Sequence, residues 1–570
     1  MTSSLVELRV LEGPNLYFPR AAIKLTLDIS ALASVSTTSA GRFAKRIGLP
    51  NARPGEPETG FRQRFAVRAV ERLVRAIAHE SGTARLAVRV RPTTDPHQVV
   101  VAFPWAHRDR AQAMGHAVGE VLDALPGEDI EGAVNRAAKT VADSEPGAAP
   151  HTITPKVPVV AVTGTNGKTT TSRMIAHIAR TQGLLVGWSN TDGIYIDGVQ
   201  VEVGDYSGPS GAGRVLAHEN VEVAVTETAR GGILLKGIGV TRNDVSVVTN
   251  VTADHLGLQG IDTVDQLAEV KSVVPRITRK SGWAVLNGDD PRVYAMRSVI
   301  RAQPWVFSRD PDSPAIREIL SSDRGRATTV IDGWVSVLAP GTDPDPLLEL
   351  VDVPMTLAGL SRFNVENTLA AASASLAIGI PKAAVVEGLR TFRPDAEHNP
   401  GRMNFFSMPG GVSVVIDLAH NEAGLEALLE VMNGLRRPGA RLLLTMGAVG
   451  DRQDELIEKL GEIGARDADV VAIAHKEHYL RGRELDELDQ LMRTGAERVG
   501  VTDIDSYDTE VEGLAGLVVQ AGSGDVVGLM CHADRQGVYD WIAEHGGTAD
   551  DPETLADKVR AARAELTGGP

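Results

Sequence analysis

The spacing of apolar and polar residues divides the chain into three segments. In the first, residues 1–145, alternating runs predict strands and helical spacing predicts helices. The predicted strands are residues 5–10, 23–28, 86–90 and 98–103, and the predicted helices are residues 61–79 and 108–125. The first segment is therefore expected to be an α+β domain, and it ends in a linker rich in proline and glycine at residues 144–150.

The helix predicted for residues 61–79 has two distinct faces. Its apolar stripe is expected to consist of Phe61, Phe65, Val70, Leu73, Val74 and Ile77. A second face carries Arg64, Arg68, Arg72 and Arg75, and Glu71 lies one turn before Arg75, where the two can form an ion pair. We interpret this face as solvated surface. The alternative is a surface that holds an acidic or polymeric substrate.

The second segment, residues 156–400, alternates apolar runs rich in β-branched residues with helical patterns. This order predicts an α/β fold with a mostly parallel sheet and helices on both faces, and the glycine-rich turn after its first strand makes that fold of the P-loop type. Residues 304–353 are expected to form an inserted patch of short strands. The third segment, residues 402–565, has the same alternation and predicts a smaller doubly wound domain.

A glycine-rich turn joins the first predicted strand of the second segment to the helix that follows it. The turn reads Gly164-Thr165-Asn166-Gly167-Lys168-Thr169-Thr170. It brings together backbone N–H groups, the positive end of a helix and a lysine ammonium group, which together suit a nucleoside triphosphate. The Thr169 hydroxyl falls where such turns place a magnesium ligand. The alternative is an ordinary strand–helix turn that contains a lysine.

Polar side chains also follow the later predicted strands of this segment. Glu227, Asn250, Asp254 and His255 all lie at or just after the end of a strand. Because ligands of parallel α/β sheets bind at the carboxyl ends of the strands, we expect these side chains to lie near the glycine turn.

Composition excludes several classes of protein. The chain has 570 residues, 43% of them hydrophobic, which is enough for several cores. No apolar run is long enough to span a membrane, so a cytoplasmic protein is expected. The single cysteine, Cys531, excludes a disulfide framework and a cysteine-rich zinc site. The net charge of −16 argues against a nucleic-acid partner.

Several motifs, in this order, resemble those of the Mur ligase family, and most closely the Mur-like part of the cyanophycin synthetases. They lie between residues 156 and 565 and read G-T-N-G-K-T-T, T-E-T-A-R-G-G-I-L, N-V-T-A-D-H-L-G, V-K-S-V, L-N-G-D-D-P, G-R-M-N and D-L-A-H-N. The first segment is similar to the N-terminal domain of the same enzymes through R-V-L-E-G-P-N. The ATP-grasp domain that those enzymes have between the two parts is missing here.

The resemblance implies an ATP- and Mg²⁺-dependent ligase that joins a carboxylate to an amine through an acyl phosphate. By the same resemblance, Lys168 would stabilise the β- and γ-phosphate oxygens of ATP. Thr169 and Glu227 would hold one magnesium ion, and His255 would hold a second. Lys271, in the helical stretch 264–274, would carry a carbamate that faces the second ion.

The resemblance also implies contacts to the rest of ATP and to the substrates. Asn287 and Asn367 match adenine contacts, and Arg402 and Asp417 match other ATP contacts. The candidate substrate-binding residues are Arg230, His420, Asn421, Arg481 and Arg483. The acidic run that precedes R-G-R in cyanophycin synthetases is replaced here by residues 476–480, of which only Glu477 is acidic. That replacement weakens the case for a basic amine.

The sequence leaves three alternative functions for this chain. The leading one is a ligase that joins an amine or amino acid to a carboxylate of a small metabolite or peptide. The second is an amidating subunit that uses ammonia from a partner glutaminase; the single cysteine argues against the versions with a four-cysteine zinc insertion. The third is a non-catalytic nucleotide-binding scaffold, against which the presence of both Lys168 and Glu227 argues. Because cyanophycin synthetases are oligomeric, the resemblance also implies a homo-oligomer, and no membrane partner is expected.

Overall fold

The computed structural model describes residues 3–125 and 129–567, with side chains described as far as residue 563. Residues 1, 2 and 126–128 of the predicted first segment lie outside the described residues. Within the described part, the strands form three sheets, and each sheet falls within one of the three predicted segments. The fold class is confirmed, and we keep the names N-terminal, central and C-terminal segment for these three parts.

The N-terminal segment contains a four-stranded antiparallel sheet in the order β1-β2-β4-β3. Its elements are β1 (Leu5–Leu11), β2 (Ala22–Asp28), α1 (Ser30–Ser34), α2 (Thr37–Arg46), α3 (Gly60–Glu80), β3 (Arg89–Pro92), β4 (Gln98–Pro104), α4 (Arg108–Asp123) and α5 (Ile130–Asp143). β3 lies later in the chain than the strand predicted at residues 86–90, and α5 was not predicted. The helices and the sheet share one apolar core, to which Leu25, Leu73 and Val101 belong.

Helix α3 largely follows its predicted pattern. Five of the six predicted apolar residues are buried, and the predicted ion pair between Glu71 and Arg75 is present at 2.7 Å. Phe61, the first residue of the predicted apolar stripe, is 51% exposed. Arg62 is buried instead, and its guanidinium donates to the carbonyl oxygens of Val35 at 2.8 Å and Gly55 at 2.7 Å. These hydrogen bonds satisfy a charge that would otherwise be costly to bury.

The central segment contains an eleven-stranded sheet in the order β15-β14-β13-β12-β11-β10-β5-β9-β6-β7-β8. Its strands are β5 (Val159–Thr163), β6 (Val186–Ser189), β7 (Gly193–Ile196), β8 (Val199–Val203), β9 (Val223–Glu227), β10 (Asn243–Val248), β11 (Thr278–Asn287), β12 (Gln303–Phe307), β13 (Arg326–Ile331), β14 (Trp334–Leu338) and β15 (Asp345–Glu349). Its helices are α6 (Lys168–Thr181), α7 (Pro209–Leu216), α8 (Arg230–Leu235), α9 (Val264–Lys271), α10 (Val273–Arg276), α11 (Pro291–Ala295), α12 (Pro314–Leu320), α13 (Arg362–Ala377) and α14 (Lys382–Thr391). The seven neighbouring strands β13-β12-β11-β10-β5-β9-β6 pair in parallel, as predicted.

The short strands predicted at residues 304–353 do not form a separate inserted patch. β12 pairs in parallel with β11, β13 pairs in parallel with β12, and β14 and β15 follow in antiparallel order. These strands therefore extend the central sheet to one of its edges. That prediction was wrong because the pairing partner of a short strand is set by contacts far along the chain rather than by its own pattern.

The C-terminal segment contains a seven-stranded sheet in the order β20-β19-β18-β21-β17-β16-β22. Its strands are β16 (Asn404–Met408), β17 (Val412–Asp417), β18 (Leu442–Met446), β19 (Val470–Ala474), β20 (Asp505–Tyr507), β21 (Val526–Met530) and β22 (Thr548–Ala549). Its helices are α15 (Glu422–Leu435), α16 (Asp454–Asp467), α17 (Leu485–Glu497), α18 (Glu510–Gln520), α19 (Arg535–Glu544) and α20 (Pro552–Thr567). Separate apolar cores lie on the two faces of this sheet, which is the predicted doubly wound arrangement.

The N-terminal segment packs directly on the central segment. One apolar core contains Leu11, Tyr17 and Phe18 from the first together with Leu267 and Val270 from the second. A core shared in this way holds the two sheets in a fixed relation. Among the described residues, no helix is both long and apolar enough to cross a membrane.

Candidate nucleotide and ligase site

The glycine turn has the predicted strand–loop–helix geometry. β5 ends at Thr163, α6 begins at Lys168, and Gly167 between them has a φ of 83° in the left-handed region. A Cβ atom on Gly167 would also lie 2.2 Å from Oδ1 of Asn367, so both the backbone conformation and the close approach require glycine. The Lys168 Nζ donates to the carbonyl oxygen of Thr165 at 2.8 Å, which draws the ammonium group back over the turn.

A cavity of about 420 Å³ lies over the turn, between the central and C-terminal segments. Most of the predicted site residues line it: Gly164, Thr165, Asn166, Gly167, Lys168, Thr169, Thr170, Glu227, Arg230, His255, Lys271, Asn367, Arg402, Asp417 and His420. The predicted residues Asn287, Asn421, Arg481 and Arg483 are not part of its lining. The carboxyl ends of β5, β9 and β17 all meet at this cavity, as the strand-end rule requires.

Thr169 and Glu227 form a pair of oxygen donors at the base of the cavity. The Thr169 hydroxyl donates to Oε2 of Glu227 at 2.9 Å, whereas Oε1 of Glu227 is buried and has no hydrogen-bond partner. Burial raises the pKa of Glu227, and the nearby Lys168 and Thr169 oppose that rise. A buried carboxylate oxygen without a partner, next to a hydroxyl, fits the all-oxygen coordination that Mg²⁺ prefers.

No group of three His, Cys, Asp or Glu side chains that could hold a metal ion occurs among the described residues. A magnesium ion bound at Thr169 and Glu227 would therefore take its remaining ligands from water and from phosphate oxygens. Magnesium sites at nucleotide phosphates usually have that composition.

Lys271 reaches the glycine turn from a different element. It is the last residue of α9, its side chain is buried, and its Nζ donates to the carbonyl oxygen of Gly164 at 2.6 Å. Burial, reinforced by the charge of Lys168, holds the pKa of Lys271 well below the usual lysine range. A lowered pKa favours the uncharged amine, which is the form that combines with carbon dioxide. Carbamylation of Lys271 stays a prediction.

His255 lies between two carboxylates from different segments. Its Nδ1 is 3.3 Å from Oδ2 of Asp451 and its Nε2 is 3.7 Å from Oδ2 of Asp254. Its φ of 50° is uncommon for a residue other than glycine, and strain of this kind clusters at functional sites. The contact with Asp451 brings the C-terminal segment against the residue that was predicted to hold the second magnesium ion.

Asp254 forms the centre of a second contact between these segments. Nη1 of Arg452 lies 3.1 Å from its Oδ1, and Nε2 of His420 lies 3.8 Å from its Oδ2. Burial acts to raise the pKa of Asp254, but His420 and Arg452 outweigh it and hold the pKa well below the usual range. Asp254 is therefore ionised, and it ties the loop after β10 to the C-terminal segment.

Two further contacts place the C-terminal segment over the glycine turn. The side-chain amides of Asn166 and Asn421 donate to each other's oxygens, at 3.2 Å and 3.0 Å. Nη2 of Arg402 lies 3.5 Å from the Thr169 hydroxyl. Burial raises the pKa of Asp417 to about 6, and the positive charge of Arg402 opposes that rise. Arg402 and Asp417 thus line the cavity beside the glycine turn, and their contacts with ATP stay predictions.

The predicted residues outside the cavity lining have partners within the protein. The Asn287 amide donates to the carbonyl oxygen of Thr249 at 2.7 Å and to Glu366 at 3.2 Å. Arg481 lies over the Tyr479 ring, and Arg483 forms an ion pair with Asp454 at 2.7 Å. Their predicted roles in binding adenine or substrate stay predictions.

Glu366, the partner of Asn287, is expected to make the unfolding free energy of the protein depend on pH. Burial raises its pKa to about 7 from an ordinary value of 4.5, although Arg309 opposes the rise. Between these values the folded chain holds a proton that the unfolded chain has lost, so the unfolding free energy falls by ~3 kcal/mol as the pH rises from about 4.5 to 7. Glu366→Gln should therefore raise the unfolding temperature by about 3 °C more at pH 8 than at pH 5.

Thermal unfolding of both proteins at the two pH values checks this result. Glu387→Gln, on the exposed face of α14, serves as the control and should show no such difference. An equal effect of Glu366→Gln at both pH values would contradict the raised pKa.

The structure adds lining residues that sequence reasoning missed: Thr191, Asp205, Ser207, Gln259 and Asn399. Thr191 follows the end of β6, and its hydroxyl lies 3.4 Å from that of Thr169. The strand-end rule could have found Thr191 if the short run of residues 186–189 had been recognised as a strand. The other four lie in loops and had no comparable signal.

The fold and the glycine turn together define an α/β protein of the P-loop type. Two family models match the chain: the Mur ligase middle domain at residues 162–375 and the Mur ligase glutamate ligase domain at residues 401–531. Together they cover more than half of the chain, and it belongs to the Mur ligase family.

Similar proteins include two curated cyanophycin synthetases. Those of Crocosphaera subtropica and a Synechocystis species are each 43% identical over 340 residues, which is 60% of this chain and 38% of each relative. The aligned part thus spans less than half the length of these relatives. Among solved structures, the bifunctional folylpolyglutamate synthase/dihydrofolate synthase of Yersinia pestis is 18% identical, with a TM-score of 0.49 over 68% of this chain and 89% of that chain.

Proposed function

We propose that this chain is an ATP-dependent amide ligase that joins a carboxylate of a small metabolite or peptide to an amine or amino acid. The observation that carries the proposal is the meeting, in one cavity, of the glycine turn, the Glu227 oxygen without a partner, and Lys271. Membership of the Mur ligase family supports the same reaction class.

The proposed reaction has two steps. A carboxylate oxygen of the acid attacks the γ-phosphorus of ATP, the bond to the β-phosphate oxygen breaks, and ADP leaves. The amine nitrogen then attacks the acyl carbon of the acyl phosphate, the bond between that carbon and the phosphate oxygen breaks, and a proton is lost from the nitrogen. Phosphoryl transfer of this kind depends on positioning and on neutralising charge rather than on covalent catalysis.

The chain's own residues meet these requirements in distinct ways. Lys168 and the backbone N–H groups of the turn would hold the phosphate oxygens, and Thr169 and Glu227 would hold a magnesium ion. A bound magnesium ion would offset the charge that develops on the phosphate oxygens. Arg230, which is buried in the cavity wall, has a permanent positive charge suited to the carboxylate of the acid.

The C-terminal segment would bind the amine substrate and bring it to the cavity. The loop after β18 carries the cavity residue Asp451, and His532, which follows β21, has its ring centre 6.2 Å from that of the cavity residue His420. Lys476 after β19 is not free to bind a substrate, because its Nζ donates to Glu510 at 2.7 Å and to the carbonyl oxygen of Met530 at 2.6 Å. Glu477, the one carboxylate in the stretch that replaces the acidic run, is exposed. That stretch therefore offers no buried carboxylate to bind a basic side chain, which favours a neutral or acidic amino acid as the amine.

A substrate screen tests the proposal. The full chain is incubated with ATP, Mg²⁺ and pairs drawn from a panel of carboxylic acids and a panel of basic, neutral and acidic amino acids, with ammonium as a further amine. We expect ADP release that needs both partners, and a product whose mass equals acid plus amine less water. Turnover only with ammonium would indicate an amidating subunit instead. Protein that binds Mg²⁺ and AMPPNP but releases no ADP with any pair would contradict the proposal.

A further inference from the structure

A loop of the N-terminal segment is built into the central segment at the end of α8. The backbone N–H of Glu12 donates to the carbonyl oxygen of Lys236 at 2.7 Å, and that of Ile238 donates to the carbonyl oxygen of Pro14 at 2.7 Å. A Cβ atom on Gly13 would lie 1.9 Å from the carbonyl oxygen of Ile238, so only glycine permits the two backbones to approach this closely. The loop therefore joins the chain directly after α8, the helix that begins at the cavity residue Arg230.

Asn15 fixes the shape of this loop. Its side-chain amide donates to the carbonyl oxygens of Gly13 at 2.8 Å and Arg20 at 2.9 Å. Its side-chain oxygen accepts from the backbone N–H groups of Tyr17 at 2.9 Å and Phe18 at 3.0 Å. All of its hydrogen-bonding capacity is thus used within the loop, and the two aromatic residues enter the same apolar core as α9.

An ion pair connects the N-terminal sheet to α9 itself. Nη1 and Nη2 of Arg91, on β3, lie 2.8 Å from the two carboxylate oxygens of Glu269. The Arg91 guanidinium also lies 5.6 Å from the centre of the Tyr17 ring. Glu269 precedes Lys271 by two residues, in the last turn of α9. A two-point contact of this kind fixes the orientation of the helix end as well as its distance.

We propose that the N-terminal segment is a positioning element of the ligase site, acting on Lys271 through Arg91 and the loop of residues 12–18. The loop and the ion pair hold α8 and α9, and α9 delivers the Lys271 Nζ to the glycine turn at 2.6 Å from the carbonyl oxygen of Gly164. This inference rests on the proposed function in one respect, which is that Lys271 acts in the ligase site. A shift of about 1 Å in such a group is enough to lower the rate of an enzyme about 100-fold.

The effect of Arg91 is expected to be local. The side chains of Arg91 and Glu269 are 35% and 37% exposed, and ion pairs with that much solvent add little to global stability. Arg91→Ala should therefore leave the unfolding temperature nearly unchanged while the end of α9 becomes less ordered. Arg46→Ala is the matched control, because Arg46 pairs with Glu80 within the N-terminal segment and does not touch α9.

Hydrogen–deuterium exchange of the full chain tests the inference without a known substrate. We expect the amides of residues 264–271 to exchange about 5-fold faster in Arg91→Ala, and to exchange at the wild-type rate in Arg46→Ala. The double variant Arg91→Glu/Glu269→Arg should recover slow exchange, because it rebuilds the pair with the charges reversed. With a substrate pair from the screen, Arg91→Ala should lower kcat about 10-fold and change the KM for ATP less than 2-fold.

Two results would overturn the inference: unchanged exchange of α9 in Arg91→Ala, or equal acceleration in the Arg46→Ala control. Failure of the proposed function has a different signature, because wild-type protein would then release no ADP whatever the exchange data show. Arg91→Lys keeps the charge but loses the two-point contact, so it should fall between wild type and Arg91→Ala. It replaces the alanine variant if that variant does not fold.

Discussion

Replacement of Lys168 by alanine is expected to lower ATP-dependent turnover about 1,000-fold. The Lys168 ammonium is the side-chain cation supplied by the glycine turn itself, at the start of α6. Without this ammonium group, the negative charge that develops on the phosphate oxygens in the transition state loses a positive partner. A 1,000-fold lower rate corresponds to an activation free energy that is higher by ~4 kcal/mol. Steady-state ADP release with a substrate pair from the screen measures the loss.

A matched lysine variant separates this effect from a general loss of charge. Lys280 lies on an exposed part of β11, in the same segment, and Lys280→Ala should retain full turnover. Both proteins should unfold within about 2 °C of the wild type, because Lys168 is only partly buried and contacts a single carbonyl oxygen. Turnover of Lys168→Ala within 10-fold of the wild type would contradict the place assigned to the triphosphate.

Replacement of Lys271 by alanine is expected to lower turnover at least 100-fold. If Lys271 carries a carbamate, alanine removes an anion that faces the metal and also leaves a space at Gly164. A small carboxylate such as acetate fits such a space and supplies the missing charge, so it should restore part of the activity. Turnover measured with increasing acetate tests the expectation.

Lys271→Met is the informative comparison for this experiment. Methionine fills the same volume without a charge, so acetate should not restore its activity. A purely structural role for Lys271 predicts the opposite pattern, in which methionine retains most of the activity and acetate has no effect on alanine. Full activity of Lys271→Ala would remove Lys271 from the site altogether.

The glycine turn could be predicted from sequence because its geometry is set locally. A β-branched run, glycines at fixed positions and the first turn of a helix are consecutive in the chain, and each restricts its neighbours. Glu227 and Asp417 could be found in the same way, because each ends a strand whose carboxyl end must face the cavity. Lys271 was found only through the family resemblance, since a single lysine on a helix has no distinguishing pattern of its own.

The contacts between segments could not be predicted from local pattern. Asp451 and Arg452 meet His255 and Asp254 across about 200 positions of sequence, and nothing near either pair specifies the other. The same holds for Arg91 and Glu269, which are 178 residues apart. Arg62 was missed for a related reason, because burial of its charge depends on carbonyl groups supplied by other parts of the segment. Long-range pairing of this kind requires the folded structure.

An experimental structure of the full chain with Mg²⁺ and AMPPNP would show where the triphosphate binds. We expect the triphosphate to lie on the glycine turn within hydrogen-bonding distance of the Lys168 Nζ, with the metal ion at Thr169 and Glu227. Lys271 is predicted to face the same site. A nucleotide bound elsewhere on the chain, or a triphosphate on the turn with its γ-phosphate beyond the reach of Lys168, would contradict the proposed ligase site.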